Sequence, residues 1–307
     1  MRVACTAASV DLGAFPGRGR AHPRVLEEAA RRLKAGEDGL LADSFVTRCG
    51  STIVLLATHR ETDAADVRLL VEETLEGART IGRALGLDYG DRPAETGLAS
   101  AEIDEESGGL LLFMTDRAGP EAWTALLCRV LADPFATPRL ATDPSMREGF
   151  VFEIAGEPSV RFRTPAETYS LLSALTEGQG RSLGQVLTPA DGSVAVVSSP
   201  GSGGSVLLGR TGGAGMPALG EWLRAAMAPI AARDGVLFPV AVCDAFGGAG
   251  DGLPRCCCLG FQVADGHLVG PADLFDDPAF DPVRRECLEL ARMRRAYFPF
   301  ETGRTRT

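Results

Sequence analysis

The chain has a single lysine, Lys34, although lysine and arginine together number 31. The other basic residues are therefore arginines, which stay charged and cannot form an imine with a carbonyl substrate. A Schiff-base mechanism would have to use Lys34, which lies in an amphipathic segment beside Arg31 and Arg32. The sequence therefore argues against covalent catalysis through a lysine.

Long apolar runs are also missing, since no stretch reaches the ~18 to 20 residues that a membrane-spanning helix needs. The N-terminal stretch carries one arginine and a short apolar run that meets Asp11, which is not the pattern of a signal peptide. The net charge of -10 leaves no basic surplus for the phosphates of a nucleic acid. These absences predict a cytoplasmic protein whose partners are neither membranes nor nucleic acids.

Cysteine is sparse, with 8 residues in 307, which excludes a disulfide-stabilised scaffold. Cys256, Cys257 and Cys258 are consecutive. Successive strand residues point to opposite faces, so these three cannot readily bind one metal. The run is predicted to be a buried strand packed with small side chains, and a redox or metal role is the alternative.

Helix and strand patterns alternate along the chain and predict a single α/β domain over residues 1–307. The glycine-rich stretch from Pro200 to Gly215 predicts a mostly flexible loop around a short apolar run. Strands are predicted at 44–59, 109–114, 150–154 and 159–163, and helices at 62–86, 120–131, 164–176, 217–232 and from 282.

Six blocks resemble, in the same order, one known family, the bifunctional fructose-1,6-bisphosphate aldolase/phosphatases (archaeal-type, class V fructose-1,6-bisphosphatases). They are residues 10–23 (VDLGAFPGRGRAHP), 44–59, 113–123 (FMTDRAGPEAW), 132–154, 216–221 and 259–285 (LGFQVADGHLVGPADLFDDPAFDPVRR). The resemblance implies a four-layer α-β-β-α sandwich, a homo-octamer, and several Mg²⁺ ions held by carboxylates and a histidine.

The resemblance implies a changed metal site. Asp11 and Asp116 match two of the family's metal-binding aspartates, whereas the ligand histidine falls on Arg18. The family's paired aspartates fall on Ser51 and Thr52, which are poor ligands for a hard cation. We expect one or two Mg²⁺ ions at most, weakly bound.

The substrate side is changed as well. Arg117 replaces a lysine of the family's site, and Arg255 matches an arginine of it, so both are candidates for binding a phosphate. Asp273 matches a residue at the family's substrate, although an acidic turn is the alternative interpretation. The segment 200–215 stands where the family has its Schiff-base lysine, catalytic tyrosine and two metal ligands, and it contains no Tyr, Lys, Asp or Glu.

Three functions remain open from the sequence. The first is a repurposed enzyme that binds or converts a small phosphorylated sugar or related metabolite, using Arg18, Arg117 and Arg255 as anion contacts. The second is a catalytically silent structural or regulatory subunit of the same fold. The third is a residual fructose-1,6-bisphosphatase with one weakly bound metal.

Overall fold

The computed structural model describes residues 2–12, 19–87, 95–104, 109–177, 182–190, 192–199, 201, 203–232, 235–246 and 252–297. These residues form two β-sheets with helices on their outer faces. The strands are β1 (Arg2–Asp11), β2 (Leu41–Cys49), β3 (Thr52–His59), β4 (Gly97–Asp104), β5 (Gly109–Thr115), β6 (Phe150–Ile154), β7 (Val160–Thr164), β8 (Leu183–Leu187), β9 (Ser193–Val197), β10 (Val206–Thr211), β11 (Ile230–Ala232), β12 (Gly235–Pro239), β13 (Arg255–Ala264) and β14 (His267–Asp273). The helices are α1 (Pro23–Lys34), α2 (Ala64–Ala84), α3 (Ala122–Leu131), α4 (Arg139–Thr142), α5 (Pro144–Arg147), α6 (Thr168–Glu177), α7 (Leu219–Ala226) and α8 (Asp281–Tyr297).

The first sheet is antiparallel and has the strand order β2-β3-β1-β4. Its β2–β3 hairpin confirms the strand pair predicted for residues 44–59. Helices α1 and α2 cover one face, where Val25, Leu33, Val71 and Leu75 pack against the sheet. The helices bury these side chains because apolar residues recur on one face at helical spacing.

The second sheet has ten strands, in the order β11-β12-β13-β5-β10-β9-β8-β6-β7, with β14 also paired to β13. The prediction for residues 200–215 is wrong here, because β10 lies between β5 and β9 near the middle of the sheet. The apolar run that begins at Val206 is fully buried. One pairing partner, β5, lies far away in the chain and the other, β9, lies beyond the first glycines, so the local glycine content misled the prediction.

Three clusters of buried residues separate four layers of structure. One lies between the first sheet and α1 and α2, a second lies between the two sheets, and the third lies between the second sheet and the helices α3, α6, α7 and α8. Because the middle of each sheet is buried on both faces, the central strands β3 and β5 are apolar along most of their length. The predicted α-β-β-α sandwich is confirmed.

The cysteine run lies in β13, and all three of its thiols are buried. Cys257 belongs to the core between the sheets, whereas Cys256 and Cys258 belong to the core on the other face of the second sheet. This alternation follows from the two-residue period of a strand and confirms the packing interpretation. Burial raises the pKa of Cys256 and Cys258, which keeps both thiols protonated.

Most of the predicted helices follow their sequence signals, but α6 begins at Thr168 and not at the predicted Thr164, which belongs to β7. Helix α2 matches the predicted segment, and Gly86, with φ of 68°, lies just beyond its end. The helix predicted over 217–232 is too long, because α7 ends at Ala226 and residues 230–232 form β11. Pro229 disfavours a helical conformation for the residue before it, which accounts for the early end. None of the helices in the described residues has the length and apolarity needed to cross a bilayer.

Candidate functional site

The candidate site lies at one end of the layer between the two sheets. Asp11, the last residue of β1, pairs with Thr52, the first residue of β3. Thr115, the last residue of β5, pairs with Cys256 in β13, so Asp116 and Arg255 follow side by side. The strand period turns the side chain of Asp11 toward the second sheet, because Cys5 and Ala7 of the same strand lie in the core between the sheets.

Asp116 is the most buried acid of the site, with 3% of its surface exposed. Its Oδ1 accepts a hydrogen bond from the backbone N–H of Arg255 at 2.8 Å. Its Oδ2 is buried and has no hydrogen-bond partner among the described residues. Burial raises the pKa of Asp116, although the charges of Arg117 and Arg255 and the backbone hydrogen bond oppose the shift. One carboxylate oxygen is thus held in place, and the other remains for a proton, a cation or a ligand donor.

Thr52 has a structural role instead of the cation-binding role of the aspartate it replaces. Its hydroxyl donates to the backbone carbonyl of Asp116 at 2.7 Å and accepts from the backbone N–H of Gly204 at 2.9 Å. The side chain is fully buried, and Ser51 beside it is 7% exposed. Thr52 therefore ties three chain segments together.

The glycine-rich stretch packs tightly against the site. A Cβ atom on Gly203 would lie 2.6 Å from the Cβ of Asp11 and 3.0 Å from the Oγ1 of Thr52. A Cβ atom on Gly204 would lie 1.7 Å from the carbonyl oxygen of Thr115. Only glycine allows this approach, so the backbone at 203–204 occupies space beside Asp11 and Thr52. The sequence signal for it is the pair of glycines directly before a buried apolar run.

Arg255 is 6% exposed and lies beside Asp116. Its guanidinium lies over the ring of Phe238, with its Cζ 4.8 Å from the ring centroid, and its Nε donates to the carbonyl of Phe246 at 3.4 Å. Arg117 follows Asp116 in the chain, but its side chain is exposed. The structure thus groups Asp11, Asp116 and Arg255, with Arg117 at the solvent side. The predicted site residue Arg18 lies outside the described residues.

Asp273 is connected to this group indirectly, through the chain segment that contains Val242 and Phe246. Its Oδ2 accepts from the backbone N–H of Val242 at 2.7 Å, and its buried Oδ1 has no hydrogen-bond partner among the described residues. Burial raises the pKa of Asp273, and the nearby Asp276 adds to the rise. The contact fixes the 3₁₀ turn Val242–Asp244, which leads directly to Phe246. Asp273 therefore positions the turn that leads to Phe246, whose carbonyl accepts from Arg255.

Sequence reasoning missed two further arginines at this end of the sandwich. Arg48, near the end of β2, is 9% exposed and donates to the carbonyl of Ala245 at 3.4 Å. The guanidinium of Arg20 lies over the ring of Phe246, with its Cζ 4.7 Å from the centroid. Burial lowers the pKa of Arg48, and the like charge of Arg20 lowers it further. For Arg48, the sequence signal was an arginine inside a predicted strand.

Comparisons with known proteins agree with this architecture. The profile of a family described as Fructose-1,6-bisphosphatase matches residues 2–307. A fructose-1,6-bisphosphate aldolase/phosphatase of Thermococcus kodakarensis is 35% identical over 99% of this chain and 92% of its own length. The enzyme of the same name from Ignicoccus hospitalis is 34% identical over 94% of this chain and 84% of its own length. This chain belongs to the fructose-1,6-bisphosphate aldolase/phosphatase family.

The magnesium cluster implied by the family does not fit the described residues of this family member. No group of three or more His, Cys, Asp or Glu side chains among them is arranged to hold a metal ion. The hydroxyl of Thr52 is used by two backbone groups, and the backbone at Gly203 fills space beside Asp11. A hard cation needs about six oxygen ligands, and the described site offers two carboxylates.

Proposed function

We propose that this chain binds a small phosphorylated sugar or related metabolite and that its site is able to convert this ligand. Arginine side chains contact the ligand in place of bridging Mg²⁺ ions. The observation that carries the proposal is the buried pair of Asp116 and Arg255, with one carboxylate oxygen held by the Arg255 backbone. Guanidinium groups suit this role because they bind phosphate oxygens in pairs and stay charged at neutral pH.

The remaining carboxylates suit the other end of such a ligand. Asp11 is partly exposed and Asp116 has an oxygen without a described partner, so sugar hydroxyls could donate to them. The raised pKa of Asp116 also makes it the residue best suited to exchange a proton with a ligand. We therefore assign hydroxyl binding to Asp11 and Asp116 and phosphate binding to the arginines.

A catalytically silent structural or regulatory subunit is the second candidate function. The exposure of Arg117 favours it, because an arginine that grips a buried phosphate should be covered by the fold. The close packing at Gly203 and Gly204 also favours it, because it removes space beside Asp11.

The deciding experiment is a thermal-shift screen of the full chain against phosphorylated metabolites, with and without Mg²⁺. A stabilising hexose or triose phosphate that acts equally well without Mg²⁺ supports the proposed function. Stabilisation by fructose 1,6-bisphosphate that requires Mg²⁺, with release of phosphate, would instead indicate a residual bisphosphatase. No stabilisation by any member of the panel would favour the silent subunit.

We predict that no covalent imine forms. Lys34 is exposed at the C-terminal end of α1, whereas Ala21, just before the other end, contacts Gly50 at the site. Eleven residues of helix separate the two ends by about 16 Å. Borohydride reduction in the presence of dihydroxyacetone phosphate should leave the protein mass unchanged. A stable adduct that disappears in Lys34→Arg would show that this prediction is wrong.

We predict that Mg²⁺ binds weakly, with at most one or two ions per chain. Two carboxylates supply too few oxygens for tight binding, so water must complete the shell. Calorimetric titration should give little heat, and the Asp11→Asn, Asp116→Asn double variant should remove what there is. Several tight sites in the starting protein would contradict the prediction.

A further inference from the structure

We propose that Arg20 and Arg48, together with Phe246, form the subsite that receives the phosphate group of the ligand. The inference rests on the proposed function, because it names the residues that bind the anionic end of a phosphorylated metabolite. Neither arginine was predicted from the sequence to belong to the site. Both lie at the meeting point of three elements: the start of α1, the end of β2 and the segment after the Val242–Asp244 turn.

The first support is the absence of acids around a buried charge. Arg48 is 9% exposed, and its only hydrogen bond to the described residues is the 3.4 Å contact with the carbonyl of Ala245. No carboxylate in the described part of the chain pairs with Arg48 or with Arg20. After burial, the largest effect on the pKa of Arg48 is the charge of Arg20, which repels it and lowers that pKa. Burying a cation in this way is costly unless an anion joins it.

Arg129 shows how a half-buried arginine without a described carboxylate partner is satisfied in this protein, because it makes three hydrogen bonds to backbone carbonyls, whereas Arg48 makes one. Acidic residues number 41 against 31 basic ones, so carboxylates are plentiful. Other described arginines form salt bridges with carboxylates: Arg31 and Arg32 with Glu28, Arg79 and Arg83 with Glu76, Arg139 with Asp143 and Glu221, Arg161 with Glu153, and Arg284 with Asp281. An arginine pair that has no carboxylate partner among the described residues is suited to a negatively charged ligand.

The geometry around Phe246 fits a phosphate. Phe246 is 43% exposed, and the Arg20 guanidinium lies over its ring in a cation–π contact, which uses the charge of the group and none of its N–H groups as hydrogen-bond donors. Arg48 has one weak contact to a carbonyl and keeps its other N–H groups. Two guanidinium groups can offer a tetrahedral anion several charge-assisted hydrogen bonds at once.

Backbone contacts connect this subsite to the carboxylates. The carbonyl of Ala245 accepts from both Arg48 and the backbone N–H of Gly50. The next residue, Phe246, accepts from the Nε of Arg255, whose backbone N–H holds Asp116. A ligand with its phosphate at Arg48 could therefore direct its hydroxyls toward Asp116.

The test measures binding of inorganic phosphate, a hexose monophosphate and the unphosphorylated hexose to the full chain by calorimetry. We expect the two phosphate-bearing probes to bind and the free hexose to bind far more weakly. Arg48→Gln and Arg20→Gln should each weaken binding of both phosphate probes at least tenfold. Arg48→Lys, which keeps the charge and loses the fork, should also bind less tightly. Arg68→Gln, at an exposed residue of α2, removes the same charge and should change binding less than twofold.

Melting temperature without any ligand separates binding from a structural role. Removing one of two repelling cations should leave the melting temperature of Arg48→Gln equal to that of the starting protein, or raise it. A lower melting temperature with unchanged phosphate affinity would make Arg48 structural and overturn the inference. Unchanged affinity in both Gln variants would overturn the subsite and leave the proposed function intact. If the starting protein binds neither phosphate probe, both proposals fail.

Discussion

Gly204→Ala is expected to lower the free energy of unfolding by about 3 kcal/mol. The added Cβ would lie 1.7 Å from the carbonyl oxygen of Thr115 and 2.9 Å from the carbonyl carbon of Asp116, and backbone atoms cannot move aside cheaply. Hydrogen bonds on either side hold the segment in place, since the N–H of Gly204 donates to the hydroxyl of Thr52, and the backbone N–H of Thr115 donates to the carbonyl of Ser205. Urea unfolding followed by circular dichroism measures the effect.

Gly220→Ala is the matched control for this substitution. Gly220 lies in α7, and a Cβ there would meet no atom within 4 Å. Alanine is the better helix former, so this variant should gain about 0.5 to 1 kcal/mol. If Gly204→Ala unfolds at the same urea concentration as the starting protein, the glycine segment is not closely packed, and additional space is available beside Asp11.

Much of the fold could be predicted because its signals are local. The β2–β3 hairpin follows from two apolar runs around Gly50, and α2 follows from apolar residues at helical spacing that stop before Gly86. The strand period correctly placed Cys257 on the opposite face from its two neighbours. Such features depend on a few consecutive residues, which is why sequence reasoning recovers them.

The glycine-rich stretch shows where local reasoning fails. Gly201 to Gly204 and Gly212 to Gly215 dominate its composition, and composition alone indicates a loop. The six residues of β10 between these glycines are nevertheless held by β5 and β9, which lie about ten or more residues away in sequence. Pairing of this kind depends on the rest of the sheet, and no window around residue 205 contains it.

Part of the candidate site could likewise be predicted from the sequence, and part of it could not. Asp11 and Asp116 stand in blocks that resemble the family, Arg255 matches one of its arginines, and the structure places the three residues at the same end of the sandwich. Arg48 contacts Ala245 across 197 residues of sequence, so neither position alone suggests the other. Arg117 was predicted because it stands where the family has a lysine of the site, but its side chain is exposed.

Asp116→Asn is expected to stabilise the protein at pH 7 by about 1 to 3 kcal/mol while weakening ligand binding. Asparagine can still accept the hydrogen bond from Arg255 through its Oδ1, and it removes the charge from a buried group whose second oxygen has no described partner. The gain should appear as a higher melting temperature in the absence of ligand.

The pH dependence of this gain identifies its cause. Burial raises the pKa of Asp116, so the folded protein holds this proton more tightly than the unfolded chain does. Its contribution to stability is therefore favourable below the unfolded pKa of about 3.9 and is lost as pH rises through the higher folded value. The advantage of Asp116→Asn should thus be full at pH 7 and should vanish below about pH 3. Asp143→Asn should behave oppositely, because hydrogen bonds from Ser145 and Arg139 lower the pKa of Asp143 to about 2, and its removal should cost stability at pH 7. An advantage for Asp116→Asn that persists unchanged at low pH would mean that relief of a buried charge is not its source, and would remove the argument for Asp116 as the proton-exchanging residue.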